Sequence, residues 1–153
     1  MRTLVALAVL LAVGPCLADT TQQHVHDMSH GVMPFDMSKT LHVFVMTEQG
    51  GIQKVITRKD GDSDQVALIR QHLAHEAEAF RKGDYGDPGH LHGETMPGLA
   101  DVKANAADIT VSYSEVQNGA EIVFSAKDLH TITAIHRWFG AQLSEHGADA
   151  TSE

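Results

Sequence analysis

One hairpin pattern occurs twice in this chain, and that recurrence limits the fold more than any other feature. Leu41-His-Val-Phe-Val-Met-Thr47 alternates and is rich in β-branched and aromatic residues; Glu48 to Gly51 is a turn and Ile52 to Thr57 a return strand. Further on, Ile109 to Ser114 reads as a strand, Gln117-Asn-Gly119 as a turn and Ala120 to Ser125 as its return. Each hairpin leads through a Lys-Asp pair into a helical run. The first, about Asp64 to Arg81, spaces Val66, Ile69, Leu73, Ala77 and Phe80 along one face; Asp62 or Ser63 can cap it and Gly83 stops it. The second opens at Lys127-Asp128, carries Leu129, Ile132, Ile135, Phe139 and Leu143 on one face, and is followed by Gly147. The hairpins register at an offset of 68, Val43 with Val111 and Gly51 with Gly119; the helices register at 66, Ile69 with Ile135.

These periods predict an α+β fold: a duplicated ββα unit, forming a four-stranded antiparallel sheet with two helices on one face. Residues 39–147 form the single domain, with repeat one at 39–82, a linker at 83–107 and repeat two at 108–147. Residues 19–38 read as an irregular His- and Met-rich segment, and 148–153 as a tail.

Residues 1–18 read as a secretory signal peptide. Arg2 supplies a positive charge, Leu4 to Val13 is an unbroken apolar run, and Cys16-Leu17-Ala18 ends in a small residue before Asp19. The run is too short to span a bilayer, and no later segment is apolar enough to do so. The expected location is the periplasm or the exterior, with cleavage after Ala18. Cys16, the only cysteine, leaves with the signal, so the mature chain has neither disulfide nor thiolate ligand. It keeps ten basic residues against twenty acidic, a formal charge of −10 with neutral histidines. Such a chain is a poor partner for nucleic acid or an anionic membrane, and it attracts cations.

Histidine and methionine are the remaining soft and borderline ligands. All eleven histidines lie beyond Ala18, with five of the six methionines. They concentrate in two places outside the hairpin–helix units: His24, His26, Met28, His30, Met33 and Met37 before the first strand, and His90, His92 and Met96 in the linker. Imidazole suits copper, zinc and nickel, while thioether sulfur selects Cu(I) over Zn(II). The expected metal ligands are therefore His24, His26, Met28, His30, Met33, His90, His92 and Met96, holding copper as Cu(I) or Cu(II), with zinc second. His72 and His75, three apart on the first helix, are a weaker candidate pair. His136 lies on the stripe of the second helix and reads as a core imidazole bonded to backbone. His42 and Met46 share a strand face with Phe44, and Trp138 and Phe139 read as core.

From about Met28 to Asp149 the chain resembles a group of small exported bacterial proteins without a settled role. The resemblance rests on Ser29-His-Gly-Val-Met-Pro-Phe-Asp-Met37, Ile69-Arg-Gln-His-Leu-Ala-His-Glu76 and Ala134-Ile-His-Arg-Trp-Phe-Gly-Ala-Gln-Leu-Ser-Glu-His-Gly147. It implies export and a small single domain. Members of the group often carry the label aspartate carbamoyltransferase. The STRT and HPxQ runs of those larger, two-domain enzymes are both absent here.

The functional expectation is a periplasmic metal-binding protein that serves copper buffering, delivery or resistance, with a copper-donating or copper-accepting protein as partner. One alternative is a metal-dependent enzyme using His72, His75 and Glu76 around a metal-bound water. The other is an interaction module, including non-covalent haem binding.

Overall fold

The computed structural model describes residues 17–153, with side chains from Thr20 onward. The segment expected to direct export, Cys16 included, lies outside the described residues, apart from Leu17 and Ala18 at a helix start. Among the described residues no helix is long and apolar enough to cross a membrane.

The two hairpins form where the alternation places them. Strand β1 (Thr40–Thr47) pairs antiparallel with β2 (Gly50–Thr57), and β3 (Thr110–Val116) with β4 (Gly119–Ser125). The second turn is tight because Asn118 takes a left-handed φ of 63° and Gly119 follows it. A Cβ on Gly119 would lie 1.9 Å from the Val55 carbonyl oxygen, so only glycine lets β4 approach β2 there. β2 and β4 are antiparallel neighbours, and the sheet order is β3-β4-β2-β1-β5.

Helix α2 (Ser63–Arg81) starts where the Asp62 carboxylate accepts from the Gln65 N–H. Helix α5 (Leu129–His146) starts in the same way, with Asp128 accepting from Thr131 N–H. Both pack on one sheet face. Phe44 and Phe124 point to the same side, and Phe44 meets Phe139 of α5 while Phe124 meets both Phe139 and Phe80 of α2. Trp138 closes the core edge-on to Phe80, Phe124 and Tyr85. Each such contact contributes about 0.5–1.5 kcal/mol beyond its buried area. Ile69, Leu73, Ala77 and Phe80 are all buried, as the α2 periodicity requires, but Leu129 at the start of α5 is 77% exposed.

The α+β class therefore stands, with corrections. The sheet has five strands and is mixed: Ala150–Thr151 forms β5, parallel to β1 at His42 and Val43, so 148–153 is no loose tail. The described chain does not resolve into a clear duplicated ββα unit, because α1 (Leu17–Val32), α3 (Gly86–His92), α4 (Leu99–Ala104) and β5 lie outside any such repeat. Residues 19–38 are not irregular: most belong to α1, which packs against α5 and α3. This helix has no continuous apolar stripe to betray it. Val25 and Ser29, one turn apart, make its buried face, and Gln22 donates to the Ser144 carbonyl at 2.9 Å. Within the linker His90-Leu-His92 forms the last turn of α3, whose Pro88 sits in the first turn, where proline is tolerated.

Candidate metal centre

Helix geometry re-sorts both sequence clusters. Residues two apart on a helix face opposite ways, and residues four apart share a face. On α1, His26 and His30 therefore pair, with ring centres 5.8 Å apart, while His24 and Met28 fall on another side. His24 and His30 are exposed and Met28 is half-buried. On α3, His90 points to solvent and His92 points inward, its side chain only 1% exposed. Met96 is buried in the hydrophobic core. The eight expected ligands thus do not form one centre. Of them, Met33, just past the end of α1, and His92 of α3 line a common cavity.

That cavity has a volume of about 30 Å³ and a wall rich in polar groups: His42 of β1, Gln53 of β2, His72 and Glu76 of α2, His92 of α3, and Gln142 and His146 of α5. His42 and His146 stack with ring centres 4.8 Å apart and planes at 12°. His92 meets His146 edge-on at 4.9 Å. Asp87 and Met33 also line the wall.

The hydrogen bonds leave a defined set of free atoms. His92 Nδ1 donates to Glu145 Oε2 at 2.8 Å; a carboxylate only accepts, so Nδ1 carries a proton and Nε2 is the atom left to face the cavity. His42 has a backbone hydrogen bond with Asp149, at the start of β5. The Nδ1 atoms of His42 and His146 and the Oε1 atoms of Gln53 and Gln142 are buried without a hydrogen-bond partner. An unpaired buried polar group costs about 1–3 kcal/mol, so four at one cavity require a reason.

Burial also sets the charge. It pushes His42 down to about 3, helped by neighbouring His72 and His92. It lowers His146 well below the usual histidine range, helped by His42 and His92. His72 is pushed down to about 4, again by burial first. An acid pair joins them: burial raises Glu76 to about 8, reinforced by the charge of Asp87 and a hydrogen bond with it. At neutral pH the cavity thus presents His42, His72 and His146 as neutral imidazoles and a protonated Glu76 hydrogen-bonded to Asp87.

Distances fit a shared ion. An imidazole nitrogen lies about 2.0–2.1 Å from a bound zinc and roughly 1.2 Å from its own ring centre, so two imidazoles sharing a tetrahedral ion have centres roughly 5 Å apart. The separations of 4.8 and 4.9 Å match that spacing. The orientations do not: among the described residues no three His, Cys, Asp or Glu side chains form a ready cage.

The other histidines have plainer roles. His136 is half-buried rather than core, but it bonds to backbone as expected: its Nε2 lies 2.9 Å from both the Thr47 and Gly50 carbonyl oxygens, tying the β1–β2 turn to α5. His75 is exposed, beside Asp84 and Asp87 in a separate shallow groove, so His72 and His75 do not share a cavity. His42 and His146 are cavity residues that the expected ligand set leaves out. A signal existed for His146: it follows Phe139 by seven residues, which continues the buried stripe of α5.

No family model, no curated protein and no solved structure matches this chain.

Proposed function

We propose that this protein is an exported metal-binding protein, for copper ahead of zinc, which buffers or delivers the ion at His42, His92 and His146 with Met33 alongside. The observation that carries this reading is the convergence of three imidazoles from three separate elements, two of them with an unpartnered Nδ1. Glu145 behind His92 is the outer partner that fixes the tautomer and orientation of a ligating histidine. The thioether of Met33 in the same wall supports Cu(I) over Zn(II). The rings turn about χ2 to aim their lone pairs at the ion, so the site closes on the metal. A copper-donating or copper-accepting protein is the partner this role requires.

The size of the cavity favours binding over catalysis. About 30 Å³ holds an ion or a water, not an organic substrate or a haem. The test is an anaerobic Cu(I) competition titration of the mature chain. Wild type takes up one tight equivalent, and His92→Ala weakens it at least tenfold. Equal uptake by the variant places the copper elsewhere.

A further inference from the structure

We infer that α1 carries a second, outer site, in which His26 and His30 clamp a divalent ion such as Zn(II) or Cu(II). This site stands on different residues from the inner one. The two histidines are four apart on one helix, with ring centres 5.8 Å apart and planes at 80°. Two imidazoles on one ion have ring centres separated by roughly 5 Å at a tetrahedral angle and about 6 Å when nearly linear, so the clamp closes by small side-chain rotations.

His26 is held ready for this role. Its Nδ1 lies 3.2 Å from Asp149 Oδ2, which leaves Nε2 on the outer side. The other oxygen of the same carboxylate takes Arg58 Nη2 at 3.3 Å, and that nitrogen also donates to the Ala148 carbonyl at 3.1 Å. The carboxylate is thus fixed from behind, as the outer partner of a metal-bound histidine usually is. The His26 side chain is 43% exposed and His30 is exposed, so an ion arrives directly from solvent. Met28 does not join them: it lies between the two in sequence and on another side of the helix. A site of two imidazoles completed by water suits a divalent ion of borderline softness.

The outer site also touches the inner one through a single residue. Asp149 holds His26 by its side chain and His42 by its backbone. An ion on α1 therefore braces the segment that supports a wall of the buried cavity, at the helix that covers it.

The experiment follows the imidazole resonances of the whole mature chain during a Zn(II) titration. His26 and His30 shift together along one isotherm. His30→Ala weakens the zinc response of His26 at least tenfold, and His24→Ala leaves it unchanged. Independent isotherms for His26 and His30, or an unaltered His26 response in His30→Ala, overturn the clamp. An equal loss in His24→Ala also overturns it, since that is how a loose histidine-rich segment behaves. Failure of the inner site shows separately, as silence from His42, His92 and His146 toward Cu(I) while His26 and His30 still respond to zinc.

Discussion

Replacing His146 by leucine isolates what the buried cluster costs the fold. His146 is 6% exposed, its Nδ1 has no partner, and leucine matches its volume closely. Removing an unpaired buried polar atom returns about 1–3 kcal/mol, while apolar packing against His42, Phe44 and His92 is largely kept. At neutral pH the metal-free variant is therefore more stable than wild type, by roughly 3–5 °C in midpoint for each kcal/mol in a domain of this size.

The same substitution carries a pH signature that a packing effect lacks. Burial lowers the folded His146 pKa well below the ordinary 6.5, so only the unfolded chain takes up a proton as pH falls through 6.5. Wild type loses about 1.4 kcal/mol per pH unit below that point until the folded pKa is reached, and the leucine variant is spared this loss. Between pH 7 and pH 5 the gap widens as the pH falls. Denaturant unfolding of the metal-free proteins at the two pH values measures it directly. A variant less stable than wild type at pH 7, or a gap that stays constant with pH, refutes the claim that His146 is a neutral, unsatisfied imidazole.

Glu76→Gln tests the acid wall with the opposite sign. Burial raises Glu76 to about 8 from 4.5, so wild type loses stability as pH climbs from 4.5 through 8, and the variant gains about 2 kcal/mol on it by pH 6 in denaturant titrations. A gap that does not grow with pH contradicts the shared proton with Asp87. Gly119→Ala forces β2 and β4 apart, because the new Cβ meets the Val55 carbonyl at 1.9 Å. A loss above about 4 kcal/mol follows, read as insoluble expression or a collapsed thermal midpoint; a wild-type midpoint contradicts the close approach.

What could be read from the sequence followed strong local signals. Alternation and helical spacing located β1 to β4, α2 and α5, and Asp62 and Asp128 marked where the helices begin. α1 escaped because its buried face is one valine and one serine, too little to register as a stripe. α3 escaped because its two glycines and proline imitate a turn. Those two misreadings had a chemical cost. On an irregular strand His24, His26 and His30, or His90 and His92, can gather around one ion; on a helix alternate residues separate. β5 pairs through two residues only, below any sequence signal, although it sets the position of His42. The inner imidazoles come from chain positions 42, 92 and 146, so their meeting is a tertiary fact that no spacing rule contains.

The central claim is that copper sits among His42, His92 and His146. Imidazole ¹⁵N spectra of the mature chain, recorded while one equivalent of Cu(I) is added without oxygen, test it most directly. The account predicts stoichiometric shifts at the nitrogens of these three histidines, with His136 unmoved in its carbonyl clasp. Shifts confined to His24, His26, His30 or His90, with the buried three unchanged, would contradict it.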